Sequence, residues 1–148
     1  TEEQLKVALQ RAYDISRPAI TSPTLETCRT MMTFTVHDPA SLPEALLWMQ
    51  LMSYAQPWMA EAWEAAIRGM MKMEESRPHR ILERLEALAV DTLVPQGRED
   101  PSGLYESAVA AVKRMPRARM VTFEKCGHLP NLEHTDAYNR LVREFLKQ

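Results

Sequence analysis

The chain has 148 residues, 45% of them apolar, and its 18 basic and 20 acidic side chains leave a formal charge of −2. That length supplies one ordinary hydrophobic core. The mild, interspersed charge excludes an electrostatic footprint for nucleic acid or an anionic membrane, and no apolar run approaches the roughly 18–20 residues of a membrane span. There is no signal-peptide pattern. Cys28 and Cys126, the only two cysteines, stand far apart in dissimilar contexts. This points to a reduced, cytoplasmic protein rather than a disulfide scaffold. The first residue is Thr1, a start expected from cleavage, from processing or from where the chain was cut.

From Glu2 to Tyr13, Leu5, Ala8, Leu9 and Ala12 share one face and predict a helix ended by Ser16-Arg17-Pro18. Pro23 suits a first helical position after Ser22, opening a segment to Thr33 with Leu25, Cys28, Met31 and Met32 at helical spacing. His37-Asp38-Pro39 breaks that pattern. Ser41, Pro43 and Glu44 read as a capping box ahead of Leu46, Leu47, Met49, Gln50 and Met52. Pro57 opens a further helix striped by Trp63, Ile67, Met70 and Met71. The first 75 or so residues hold all three Trp and eight of the ten Met, either as core of a small helical bundle or as an adaptable apolar surface. Arg77-Pro-His79-Arg80 leads into a helix through Leu82, Leu85 and Leu88. This basic cluster, like Arg17 and Arg68, fits a solvated surface or a grip on a substrate carboxylate.

From Val90 the pattern changes to strand, helix, strand, helix. Val90 to Pro95 reads as a short buried strand, and Leu104, Tyr105, Ala108, Ala111, Val112 and Met115 form a helical stripe. Met120 to Glu124 is the second strand, and Tyr138, Leu141, Val142 and Phe145 give the last helix. Strands joined by crossover helices pair in parallel and need cover on both faces. Two strands make no sheet interior, so an apolar strand edge is expected to want another strand.

Each strand runs into a loop that carries chemistry. After the second strand comes Cys126-Gly127-His128, with Gly127 allowing a sharp turn and His128 presented at a strand end, where a catalytic base is well aimed. A base imidazole needs a partner on its other ring nitrogen. The loop after the first strand, Gly97-Arg98-Glu99-Asp100-Pro101, offers carboxylates, and the pair to test is Asp100 with His128. Glu99 is the neighbouring alternative acid. Cys126, two residues from His128, is suggestive of a nucleophile, although loop residues so close in sequence rarely reach each other with the required geometry. No Cys or His spacing resembles a metal site, and no cofactor is expected.

The run from Arg84-Leu-Glu-Ala-Leu through Gly97-Arg-Glu-Asp100-Pro to Cys126-Gly-His128 and Glu133-His-Thr-Asp-Ala-Tyr-Asn-Arg-Leu-Val-Arg-Glu-Phe-Leu146 resembles the carboxyl-terminal part of an α/β-hydrolase. It looks most like the hydrolases that cut carbon–carbon bonds in meta-cleavage products of aromatic degradation. The resemblance implies an α/β fold class: a helical cap or lid, residues 1–78, followed by the carboxyl-terminal part of the hydrolase core, residues 79–148, with two parallel strands and flanking helices. It places the acid at Asp100 and the base at His128. It also implies a pocket under the cap, lined or supported by Trp48, Met52, Trp58, Trp63 and the Met cluster. Leu129 stands directly after His128, where the carbon–carbon hydrolases usually carry Trp. Leu there is common among esterase-, epoxide-hydrolase- and dehalogenase-like members, which leaves esters, vinylogous ketones and other small apolar electrophiles open as substrates.

The superfamily's nucleophile sits on a Gly-x-Ser-x-Gly elbow that precedes the acid and the His in chain order. None of the four glycines here stands in that spacing. The expected partner is therefore the amino-terminal half of the same hydrolase, carrying a Ser or Asp nucleophile, in a heterodimer or a processed chain. The alternative is a non-catalytic module, derived from such a hydrolase, that binds a ligand or partner. A third idea makes Thr1 an amino-terminal nucleophile.

Overall fold

The computed structural model describes residues 2–72, 75 and 81–147, and divides the chain into two compact units, 1–34 with 42–80 and 35–41 with 81–148. Thr1, with its proposed nucleophilic role, and the Arg77–Arg80 cluster lie outside the described residues, as do the side chains of Leu5 and Leu82.

The first unit is helical. Helix α1 spans Glu2–Thr21 and passes through Pro18, where the sequence pattern had predicted an end. Proline removes one helical donor, but Ala19 and Ile20, just beyond it, are almost wholly buried, and their burial outweighs the lost bond. Ser22 N–H then closes the last turn on the Pro18 carbonyl at 3.1 Å. Helix α2, Leu25–Thr33, starts two residues later than expected from Pro23, because Thr24 caps it in a reciprocal pairing with Thr27. Helix α3, Glu44–Tyr54, has Pro43 at its cap position and no side-chain cap. The capping box read at Ser41 is therefore absent. Glu44 is the first helical residue rather than the third, and the Ser41 hydroxyl instead closes a 3₁₀ turn, Pro39–Ser41, on the Asp38 carbonyl at 2.7 Å. Helix α4 is Met59–Met71. The helices α1, α2 and α3 pack on one another around Cys28, Met32 and Leu47, while α4 packs on α1 and α3.

The second unit carries the sheet. Two 3₁₀ turns, Ile81–Glu83 and Leu85–Ala87, stand where the helix is expected, with Leu85 of its stripe buried. Strand β1, Thr92–Gly97, and strand β2, Ala118–Phe123, pair in parallel from Thr92↔Ala118 to Gly97↔Phe123. Between them α5, Leu104–Arg114, lies against both strands, with the Tyr105 hydroxyl 3.1 Å from Thr122 Oγ1. A short helix α6, Pro130–Glu133, and the amphipathic α7, Thr135–Phe145, complete the unit. The ion pair Arg114–Glu86 ties the end of α5 to the second 3₁₀ turn, and Arg117–Asp91 joins the residues that lead into the two strands, but both are half-exposed, so each contributes little.

The N–H groups of Thr92 and Arg98 point at β2, donating to the Arg117 and Phe123 carbonyls at 2.9 Å each. By the two-residue alternation of a strand, Leu93, Pro95 and Gly97 face the other way. Pro95, which has no N–H, thus sits on the side of β1 that has no strand partner among the described residues.

Two glycines give opposite expectations. A Cβ on Gly97 would sit 1.9 Å from the Gly127 carbonyl oxygen, whereas one on Gly69, in α4, would meet open space. Gly97→Ala is expected to destabilise the chain by about 1–3 kcal/mol through overpacking. Gly69→Ala is expected to stabilise it by up to about 1 kcal/mol through helix propensity. Denaturant midpoints of the two variants measure both.

Candidate active site

The loops that follow the two strands are zipped together by backbone. Glu99 N–H donates to the Cys126 carbonyl at 3.0 Å, and Cys126 N–H donates to the Glu99 carboxylate at 2.9 Å. Glu99 is thereby turned to the backbone, and the next residue, Asp100, points the other way. Its Oδ2 lies 2.8 Å from His128 Nδ1.

The two partners differ in exposure. The Asp100 side chain is completely buried, and His128 keeps 46% of its side-chain surface open. Burial alone would raise the Asp100 pKa, but the His128 bond and the hydroxyl and backbone N–H of Ser102 outweigh it and hold the carboxyl at about 2. Gln96 Nε2 donates a further bond to Oδ2 at 2.8 Å. Because an ionised carboxylate only accepts, the proton between the pair belongs to His128 Nδ1. Neutral His128 therefore presents Nε2 as a lone-pair base on the open side of the ring. The bond to Asp100 raises the His128 pKa, against a smaller opposing effect of burial.

The main chain around His128 is fixed on both sides. His128 N–H donates to the Thr35 carbonyl at 2.7 Å, and Gly127 N–H donates to Glu133 Oε1 at 2.7 Å. A Cβ on Gly127 would come within 2.7 Å of Thr35 O. The sharp turn expected of Gly127 falls elsewhere: the left-handed residue is Lys125, at φ 52°, so Gly127 serves close approach rather than unusual dihedrals.

Cys126 is fully buried, and burial, aided by Glu133, Glu99 and Asp100, pushes its thiol up to about 12. It is thus a thiol, not a nucleophilic thiolate, at neutral pH. His37, Asp38, Ser41, Lys125, Glu133 and His134 line a cleft of about 450 Å³. Leu129 is half-buried at the start of α6, and its carbonyl accepts from Leu132 and Glu133. In the helical unit Trp48, Met52 and Trp58 are 48%, 68% and 60% exposed. Trp63 instead stacks on Tyr13 at 4.9 Å, joining α4 to α1. Among the described residues no cluster of His, Cys, Asp and Glu could hold a metal ion, and no helix is long and apolar enough to cross a membrane.

The model of the alpha/beta hydrolase family matches residues 6–141. The chain belongs to the α/β-hydrolase family. It is 30% identical over 125 residues, 84% of its length, to 2-hydroxy-6-oxononadienedioate/2-hydroxy-6-oxononatrienedioate hydrolase 1 of Pseudomonas putida, and covers 42% of that protein. Over 63 residues, 43% of its length, it is 40% identical to the 2-hydroxy-6-oxo-6-phenylhexa-2,4-dienoate hydrolase of Burkholderia cepacia, covering 22% of it. The 2-hydroxy-6-oxo-6-phenylhexa-2,4-dienoate hydrolase structure from a Rhodococcus species aligns over 88% of the chain and 47% of its own, at TM-score 0.72 and 24% identity. A thermophilic esterase from Thermogutta terrifontis aligns over 95% of the chain and 50% of its own, at TM-score 0.66 and 22% identity. The chain spans about two-fifths to half of the relatives it matches along most of its own length, and corresponds to the carboxyl-terminal portion of meta-cleavage-product hydrolases.

Sequence reasoning missed Glu133 and Gln96 as partners of the two loops. Glu133 stands in the sequence only as part of a family-like tail, and nothing in spacing alone says from which backbone N–H groups a carboxylate will accept.

The pair sets a pH dependence. His128, with its pKa raised above 6.5, contributes stability that is full below 6.5 and is lost as pH rises through its folded-state value. Asp100, lowered from 3.8 to about 2, contributes stability that is full above 3.8 and is lost as pH falls toward 2. The stability difference between wild type and Asp100→Asn is therefore expected to peak between these two values and shrink on either side. The ring signals of His128, followed by NMR, should titrate at lower pH in the variant.

Proposed function

We propose that the chain is the cap-bearing, carboxyl-terminal half of a hydrolase in which Asp100 and His128 are acid and base, with the nucleophile on an amino-terminal half that these residues do not include. The observation that carries this reading is the 2.8 Å bond from a half-exposed imidazole to a buried, ionised carboxylate. Such an arrangement leaves one ring nitrogen in a fixed tautomer and free to accept a proton.

In the completed site, Nε2 of His128 takes a proton from the nucleophile's hydroxyl as it attacks the substrate carbonyl, or from an attacking water, and returns it to the leaving group. Asp100 keeps Nδ1 protonated and offsets the imidazolium charge that forms. Oxyanion donors come from the absent half. The substrate is a small apolar ester or ketone. The relatives' names favour carbon–carbon cleavage of a vinylogous ketone, and Leu129 keeps ester hydrolysis open. Trp48, Met52 and Trp58, exposed on the helical unit, with Leu129 beside the base, contact the substrate, and Trp63 supports them from its stack on Tyr13. With Cys28 and Cys126 both free, the assembled enzyme works in the cytoplasm.

The open side of β1 is where the missing half joins. Leu93 and Gly97 offer N–H groups there, and Pro95 leaves one place without a donor to a pairing strand.

In the protein that contains both halves, His128→Ala should lower kcat/KM for a model ester by at least about 10⁴-fold, and Asp100→Asn should lower kcat on the order of 10³- to 10⁴-fold. Retained turnover in a folded His128→Ala variant removes the assigned base. Native mass measurement of the source material, together with the coding sequence upstream of Thr1, tests the partnership. If neither a bound polypeptide nor an upstream segment carries a Gly-x-Ser-x-Gly elbow or an Asp nucleophile, the assignment falls to the alternative of a non-catalytic binding module.

A further inference from the structure

Taking His128 as the base, as proposed above, we infer that Glu133 is a positioning residue that sets the base's ring through the main chain. Its two carboxylate oxygens accept three backbone N–H groups. Oε1 takes that of Gly127, the residue directly before His128, at 2.7 Å. Oε2 takes those of His37 and Asp38 at 2.7 and 3.1 Å. The segment that supplies the last two also holds His128 itself, through the bond from His128 N–H to the Thr35 carbonyl. Residues 35–38 and the His128 loop thus run backbone against backbone, with no room for a side chain at Gly127, and Glu133 bridges them.

Local sequence brings the carboxylate there. Helix α6 begins two residues after His128, at Pro130, and Glu133 ends its single turn, with Glu133 N–H bonded to the Leu129 carbonyl at 2.9 Å. One turn rises about 5.4 Å, so the side chain of the fourth helical residue is returned to the loop that leads into the helix. A carboxylate suits the task because it only accepts, and the three N–H groups, with the Cys126 thiol at 3.7 Å, converge on it. Glutamine would bring one acceptor oxygen and set an NH₂ against a remaining N–H. Bonds to a charged acceptor are also the stronger kind. With Gly127 N–H and His128 N–H both fixed, the direction in which the His128 side chain leaves the backbone is fixed too, and Nδ1 meets Asp100 without a search among rotamers.

The test uses Glu133→Ala and Glu133→Gln in the protein that contains both halves, with two measurements. The first is the tautomer of neutral His128, read from the imidazole nitrogen resonances. Wild type is expected to hold the proton on Nδ1, and Glu133→Ala to shift toward the Nε2–H form that an unconstrained imidazole prefers. The second is the kinetics of a model ester: kcat is expected to fall by about 10²-fold in Glu133→Ala with KM little changed, as for a displaced catalytic group. Glu133→Gln is expected to lie between the two on both readouts and carries the test if the alanine variant does not fold. Glu124→Gln, which breaks only the exposed pair with Arg98, is expected to keep the wild-type tautomer.

A folded Glu133→Ala with wild-type tautomer and kcat overturns the inference. So does an unchanged tautomer in Glu133→Gln where that variant carries the test, or an equal tautomer shift in Glu124→Gln, which would make the effect one of charge alone. If His128→Ala keeps its activity, the base assignment fails, while the tautomer still reports on Glu133 by itself.

Discussion

The meeting of two loop backbones at Gly97 and Gly127 is the constraint on which the site depends. A side chain on Gly97 would overlap the Gly127 carbonyl, and one on Gly127 would overlap the strap at residues 35–37. The missing Cβ at Gly97 lets the end of β1 approach the Cys126–Gly127 backbone closely enough for Glu99 and Cys126 to exchange bonds through backbone and carboxylate, and the missing Cβ at Gly127 lets the strap close on the His128 loop. Asp100 and His128 project from the residues just after that contact. Their 2.8 Å bond is a consequence of how tightly the strand ends are drawn together.

Drawing them together also sorts the neighbouring groups by role. Of two adjacent carboxylates, Glu99 satisfies backbone, while Asp100 is buried with Ser102, Gln96 and His128 around it. An ionised group under cover costs free energy unless its lone pairs are met. Four donors on Asp100 meet that condition, and its low pKa follows from them. The thiol near His128 goes the opposite way. Cys126 is buried among carboxylates and held neutral. Proximity to His128 in sequence gives it no chemistry, because burial and surrounding negative charge both disfavour a thiolate.

Much of this was legible in the chain, and the failures have common causes. The strand–helix–strand–helix order after residue 90 came from apolar runs and turn residues, and the strands are found displaced by about two residues from their expected bounds. The family-like loops marked Asp100 ahead of Glu99. Local signals failed where a tertiary contact competed with them. Pro18 did not stop α1, because Ala19 and Ile20 beyond it are buried. Ser41 did not cap α3, because Pro43 took the cap position and the Ser41 hydroxyl closed a turn of its own. The 35–41 segment, flanked in sequence by helices of one unit, belongs with the other. A polar stretch between two helical patterns carries no mark of the backbone it will pair with.

By itself, then, the sequence determined the kinds of element, the parallel pairing that a crossover helix imposes, two carboxylates and an imidazole set at strand ends, and the lack of a nucleophile elbow among these residues. Each of these is written in a local pattern of periodicity, turn residues or motif spacing. The tertiary structure decided which carboxylate turns toward the imidazole, the protonation each partner holds, the inertness of Cys126, and the bridge that Glu133 makes to residues 37 and 38. These depend on burial and on hydrogen bonds between residues up to 96 positions apart, distances over which no local pattern carries information.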